Sequence, residues 1–377
     1  MRLVLCAEGP VEPQAAIDAY FADHPPTATD PAHLLFGMRR SKPSLPACPE
    51  GTLTVGTFLP GRGLRDITPL TYHRLSYSEI CRDLADGTLA PDVVIACATT
   101  ERSDGTRSLG GVSGYLDLAV ASAATIYLEE VPWLPHIPGA TMVDSSARVV
   151  PSAASECDDQ PHFAVAFNDL DITIARRIAN LLPASPHLAL GIGRVGDALT
   201  EQLKDRGDVT VLTGVITDAV RHLAESGAVA EGPMRAMSVV GSPALLQWAT
   251  SAEVQIIPST QVHEPAWLAG HQRFVAVLGA LQVDERGNVN AETVGSRTVS
   301  GRGGAPDFAR GAHDSPGGFS VLTLHSTDRN GVSRLVESLP DPSIEGQFID
   351  VIVTEKGVAD LRELKGSQRI PEIRAIF

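Results

Sequence analysis

Leu188-Ala189-Leu190-Gly191-Ile192-Gly193-Arg194-Val195-Gly196 is the stretch that decides the fold. A short apolar run enters closely spaced glycines and leaves with helical spacing from Val195 through Leu203. A strand that turns through glycine straight into a helix is the building unit of an α/β sheet. The alternation continues downstream: Val209–Leu212 reads as a strand, and Asp218 opens a helix through Leu223 and Glu225 that Gly227 stops. Ser238–Val240, Val254–Ile257, Phe274–Leu278, Phe319–Leu324 and Phe348–Val353 read as further strands. Just upstream, Ile174, Ile178 and Leu181 mark a helix over 171–182.

The first part of the chain repeats the pattern. Strands are expected at Leu3–Leu5, Leu53–Leu59, Val93–Cys97 and Ala124–Val131, with helices at Gln14–Phe21, Tyr77–Leu84 and Tyr115–Ala123. The continuous β-branched run at Val93–Cys97 suits a sheet covered on both faces. The weakly periodic stretch Pro138–Pro161 reads as a connection, and Pro25–Pro31 and Pro43–Pro49 as loops. The expected class is α/β, with two open, mostly parallel domains at 1–150 and 151–377.

The composition narrows the function. A net charge of -15 argues against nucleic acid and against an anionic membrane surface. No apolar run reaches a membrane-spanning length, and Met1–Cys6 is too short for a signal peptide. The five cysteines are scattered without a CxxC, which fits reduced thiols in cytoplasm. Eleven histidines show neither HxxxH nor HExxH spacing, so no metal is expected.

Gly191-Ile192-Gly193-Arg194-Val195-Gly196 also spells the dinucleotide pattern GxGxxG. That reading requires an acidic residue about 20 positions on, to hold a ribose. Leu212, Thr213 and Gly214 stand there instead. A second glycine-rich stretch, Val299 to Ala312, places Gly301, Gly303 and Gly304 before Asp307-Phe308. Such backbone serves either as a tight loop between strands or as an anion-binding nest of N–H groups.

The set of motifs is more specific than any member. It runs Leu190-Gly191-Ile192-Gly193, Ile216-Thr217-Asp218, Val262-His263-Glu264-Pro265, Leu281-Gln282-Val283-Asp284 with Gly287-Asn288-Val289, Ser300-Gly301-Arg302-Gly303-Gly304 with Asp307-Phe308-Ala309-Arg310-Gly311-Ala312, and Val353-Thr354-Glu355-Lys356-Gly357-Val358-Ala359-Asp360-Leu361. In this order it resembles the acetyl-CoA hydrolase / 4-hydroxybutyrate CoA-transferase family over most of the chain. The resemblance extends to Glu12-Pro13 with Ala16-Ile17-Asp18. It implies two α/β domains of CoA-transferase type, acyl-CoA bound at their interface, and a homodimer. Coenzyme A is then a moiety of the substrate, and no cofactor is permanently held.

The same resemblance assigns roles. Gly303 and Gly304, with Gly301 before them, would offer N–H groups to a developing oxyanion. Gly191, Ile192, Gly193, Val262, Glu264 and Pro265 would line the pantetheine and acyl site. Arg302 and Arg310 are candidates for CoA phosphates or for salt bridges, and Asp307 for holding the glycine loop. His263 is a candidate general base or a structural hydrogen-bonding group. His313 reads as a capping or surface residue, and Glu355 as part of a structural turn.

One departure matters. Relatives carry the nucleophilic glutamate in a His-Ser/Thr-Glu-Met segment just before Ile-Ser-Asp-Gly. Here the register reads Leu212-Thr213-Gly214-Val215 before Ile216-Thr217-Asp218-Ala219, so the glutamate position is Gly214. Without a carboxylate nucleophile the glutamyl-anhydride route is closed. Three readings stay open: hydrolysis by a positioned water or other thioester-linked chemistry, transfer through a substitute carboxylate (Glu129, Glu130 or Glu264), and a non-catalytic CoA-binding or scaffold subunit. The chain is also expected to lack the leading helix of its relatives and to end early at Phe377.

Overall fold

The computed structural model describes residues 1–152, 166–251 and 253–377. The chain forms two compact units. The first takes Met1–His162, Ala236–Thr260 and Val299–Gly303; the second takes Phe163–Arg235, Gln261–Thr298 and Gly304–Phe377. The expected division at 150/151 is a single cut, whereas two later segments return to the first unit. Backbone pairing explains one return: Val239 donates to the Gly111 carbonyl, Ser113 donates to that of Met237, and Ile256 donates to that of Pro138. The rest of the expected connection, 153–161, lies outside the described residues.

The first unit holds a seven-stranded sheet in the order Thr71–Tyr72, Leu53–Thr57, Ala32–Phe36, Arg2–Cys6, Val93–Ala98, Thr125–Glu130, Arg148–Pro151. Every pairing in it is parallel. Val93–Ala98 is buried along its whole length, as its β-branched run requires. Ala32–Phe36, equally buried, was not visible as a strand in the sequence. It follows Pro31 and is built from Leu, Ala, His and Phe, so neither alternation nor a β-branched run marks it.

In the second unit Thr210–Ile216, His187–Leu190, Phe274–Gly279, Phe319–Thr323 and Val351–Val353 stand side by side in parallel. Val358–Asp360 closes the edge antiparallel. The helix expected at 171–182 runs Asp169–Leu181, started by a capping box between Asn168 and Asp171. The glycine-rich stretch 299–312 is only partly a loop: Ala305–His313 is a helix packed on Phe274–Gly279 and Phe319–Thr323. Gly311 hides that helix from a propensity reading, yet a Cβ there would meet Leu268 at 2.5 Å, so the glycine is what lets the neighbouring helix Pro265–Ala269 approach.

Both sheets reverse their strand order beside their first strand, Arg2–Cys6 against Val93–Ala98 and His187–Leu190 against Phe274–Gly279. In open α/β sheets the crevice beyond the carboxyl ends of such strands is where ligands bind. Four of the five cysteines, Cys6, Cys48, Cys81 and Cys97, are free thiols; Cys157 lies outside the described residues.

Candidate functional site

The carboxyl edge of the second unit's sheet opens into a cavity of about 250 Å³. Gly191, Ile192 and Gly193 line it as they leave His187–Leu190; Gly279 and Ala280 line it as they leave Phe274–Gly279. Thr323, Leu324 and His325 enter from the third strand, with Asp171, Arg194 and Arg334 around the wall. Gly193, at φ 144°, is the N-cap of the helix Arg194–Gln202. Among the described lining residues are Gly191, Ile192 and Gly193, but not Val262, Glu264 or Pro265.

Gly304 and His263 come together in the same unit. Gly304 is the N-cap of Ala305–His313, a helix connected in parallel fashion to Phe319–Thr323, which puts its N-terminus at the carboxyl edge. A Cβ at Gly304 would sit 2.3 Å from both Cδ2 and Nε2 of His263. Only glycine lets the backbone lie on that imidazole. Phe308 closes the other side, its ring 5.1 Å from that of His263 at 63°. His263 is 1 % exposed, and burial pushes its pKa down to about 3. It is therefore neutral at any working pH and too weak a base to collect protons near neutrality, so packing under the glycine is the role its placement favours.

Gly214 faces this cluster from the strand Thr210–Ile216. A Cβ there would lie 3.5 Å from Phe308 Cε2 and 3.8 Å from His263 Nε2, which is ordinary contact. Neither crowding nor a positive φ demands glycine at 214. A Cβ fits there, and the chain carries no carboxylate at this position.

The three candidate substitute carboxylates are each engaged. Glu129, 4 % exposed, accepts from the amides of Ala15 (2.7 Å) and Ala16 (3.3 Å) at the start of the helix Gln14–Asp23, and from the Ser152 hydroxyl (2.6 Å). Glu130 pairs with Arg107 at 3.0 Å. Glu264 caps Pro265–Ala269, accepting from the Ala266 amide at 3.3 Å.

The other singled-out residues divide between the units. In the first, Arg302 donates its amide to the Tyr72 hydroxyl (3.1 Å) and its guanidinium to Glu79 (3.3 Å). Gly303 accepts from the Tyr77 amide at 3.1 Å, and a Cβ on Gly301 would strike the Phe58 carbonyl oxygen at 2.3 Å. In the second, Asp307 is buried in the first turn of its helix, Val262 is buried, and Arg310 lies 3.8 Å from Asp314 with its guanidinium over the Phe348 ring. His313 bonds Asp350 at 2.7 Å. Glu355 accepts from the amide and hydroxyl of Ser326. Burial acts to raise its pKa, but the bonds from Ser326 outweigh that and hold it below the usual carboxylate value.

Sequence reading missed His325 and Asp171. His325 Nε2 donates to Asp171 Oδ1 at 2.7 Å on the cavity wall. The two lie 154 positions apart, and no motif joins them. Among the described residues no group of three or more His, Cys, Asp or Glu side chains stands where it could hold a metal ion, and no helix is long and apolar enough to cross a membrane.

Comparison with known proteins gives a consistent picture. Residues 241–376 match the sequence model of the acetyl-CoA hydrolase/transferase C-terminal domain. The chain is 26 % identical over 314 residues to the 4-hydroxybutyrate coenzyme A transferase of Clostridium kluyveri, covering 80 % of this chain and 71 % of that protein. It is 29 % identical over 242 residues to an acetyl-CoA hydrolase of Kluyveromyces lactis, covering 62 % of this chain and 46 % of that one. Among solved structures, RipA from Yersinia pestis superposes with a TM-score of 0.83 at 21 % identity, over 100 % of this chain and 90 % of that one. The chain is thus similar in sequence to the acetyl-CoA hydrolase / 4-hydroxybutyrate CoA-transferase family, as its motifs predict.

Proposed function

We propose that this relative of the acetyl-CoA hydrolases and CoA transferases is an enzyme of acyl-CoA chemistry that cleaves the thioester without a protein carboxylate at position 214, water being the acyl acceptor. The observation that carries the reading is Gly214: a Cβ there would be in ordinary contact with Phe308 and His263, and the position holds no nucleophile. Names of relatives, both transferase and hydrolase, support acyl-CoA as the substrate class. Coenzyme A enters as part of the substrate and leaves as the free thiol.

In this reading the Gly303–Gly304 backbone faces the thioester oxygen, and the positive end of the helix Ala305–His313 favours the charge that develops there. The turn Gly191–Gly193 receives the pantetheine arm. Transfer through a substitute carboxylate is disfavoured, because Glu129, Glu130 and Glu264 already hold backbone amides or an arginine. The assignment of 1–150 and 151–377 as CoA-transferase-like domains, a homodimeric assembly and a cytoplasmic site of action belong to the same proposal.

The test is thiol release from a panel of acyl-CoAs, with and without acetate, read beside the intact mass of the protein. Acetate-independent release with no mass adduct is expected. The variant Gly214→Glu is expected to gain acetate-dependent exchange and a covalent CoA adduct. An acetate-dependent exchange with an adduct in the unmodified protein would overturn the reading and point to a carboxylate elsewhere. CoA binding with no release from any thioester would favour the scaffold reading instead.

A further inference from the structure

The cavity wall carries a histidine–carboxylate pair that no motif of the sequence announces. His325, 21 % exposed, lies at the mouth of the strand Phe319–Thr323 and lines the cavity together with the turn Gly191–Gly193. Asp171, 2 % exposed, comes from the first turn of Asp169–Leu181. Its two oxygens are divided: Oδ2 accepts the Asn168 amide at 2.9 Å to start the helix, and Oδ1 accepts His325 Nε2–H at 2.7 Å. With Nε2 carrying the proton, the neutral ring keeps its lone pair on Nδ1. The backbone beside the ring is pinned as well, since Glu355 accepts both the amide and the hydroxyl of Ser326. A base fixed in tautomer and orientation by a buried carboxylate, at the edge of an open cavity, is the arrangement that general-base catalysis uses.

We propose that His325 is the general base of thioester hydrolysis in this cavity, with Asp171 as its positioning residue. This rests on the acyl-CoA reading above but places the thioester carbonyl at the cavity wall beside Gly191–Gly193 and His325 instead of at Gly303–Gly304, neither of which lines the cavity. His325 Nδ1 takes a proton from a water molecule as the water oxygen adds to the thioester carbonyl carbon. The tetrahedral adduct then breaks its C–S bond, and the proton held on Nδ1 passes to the departing thiolate. Water and thioester thus become a carboxylic acid and the free thiol, and the imidazole returns neutral. The charged groups around the ring are Asp171, Glu355 through Ser326, and Arg194 and Arg334 on the cavity wall.

The test measures kcat, KM and the pH profile for acetyl-CoA and butyryl-CoA, with CoA binding by calorimetry, in the full chain and three variants. His325→Gln is expected to lower kcat about 100-fold or more, to remove the acid limb of the kcat profile and to leave CoA binding intact. Asp171→Asn is expected to lose about tenfold or more in kcat with KM little changed, because an amide no longer fixes the Nε2–H tautomer. Asn168→Ala removes the side-chain cap on the Asp171 amide (3.1 Å) but leaves the carboxylate and its bond to His325 in place, so a kcat loss as large as that of Asp171→Asn would assign the Asp171 effect to helix capping and overturn its positioning role. The proposal is overturned if His325→Gln keeps kcat within about threefold, or keeps the acid limb. Failure of the acyl-CoA reading looks different: neither CoA binding nor thiol release in the unmodified protein. Binding without release overturns the hydrolytic role of His325 while leaving CoA as the ligand.

Discussion

The two sheets reverse direction in the same way, yet their carboxyl edges are used differently. Beyond Cys6 in the first unit, the crevice is filled. Glu8 is buried there, accepting from the Met38 amide at 2.9 Å and the Tyr77 hydroxyl at 2.7 Å. Tyr77 and Tyr115 stack at 6.0 Å, and a Cβ on Gly37 would meet the Tyr115 hydroxyl at 2.6 Å. Beyond Leu190 in the second unit, the glycine turn and small residues leave an open cavity with a histidine on its wall. Topology supplies a crevice at each switch point. Side-chain volume decides whether it becomes core or site.

Three substitutions sharpen or break that contrast. The largest effect is expected from Gly304→Ala. Its Cβ cannot coexist with the buried His263 ring, and both are held by packed neighbours. Overpacking of this kind costs about 1–3 kcal/mol. Thermal melts and thiol release should both fall; unchanged melting and full activity would show that the glycine loop is not tied to the imidazole.

A smaller effect is expected at the filled edge. Burial raises the pKa of Glu8 above its ordinary 4.5, against the lowering pull of the Met38 amide and the Tyr77 hydroxyl. A folded pKa above the unfolded one means the contribution of Glu8 to stability is fully present below 4.5 and is lost as pH rises through the folded value. Glu8→Gln should therefore match the parent in acid and gain on it toward neutral pH, by on the order of 1 kcal/mol. Stability curves at several pH values give the difference directly. A gap that widens toward acid would mean that the carboxylate is stabilised where it lies.

The smallest effect is expected for Gly214→Ala. The position sits in a strand, tolerates a Cβ in ordinary contact, and should gain about 0.5 kcal/mol from reduced chain entropy. Denaturant titration would detect it. A clear loss would mean that glycine at 214 is structurally required and that its lack of a carboxylate has a packing cause.

Much of the frame was legible in the letters. The continuous run Val93–Ala98, the glycine turn at 191–193 and the helical spacing of Ile174 and Ile178 each carry their own physics within a few residues. Ala32–Phe36 and Ala305–His313 were not legible. The first is a strand because two parallel neighbours pair with it, and the second is a helix because Gly304 and Gly311 let it rest against His263 and Leu268. The candidate site divides similarly. Gly304 and Gly214 could be singled out by motif register, whereas His325 and Asp171 could not.

The sequence by itself determined the α/β class, the family resemblance and the glycine at 214, because these depend on local periodicity and on residues read in order. Tertiary structure alone decided which crevice is open, that Glu129, Glu130 and Glu264 are already occupied, that His263 is buried and neutral, and that His325 meets Asp171 across 154 positions. Each of these depends on burial and on contacts between distant segments, which exist only once the chain has closed on itself.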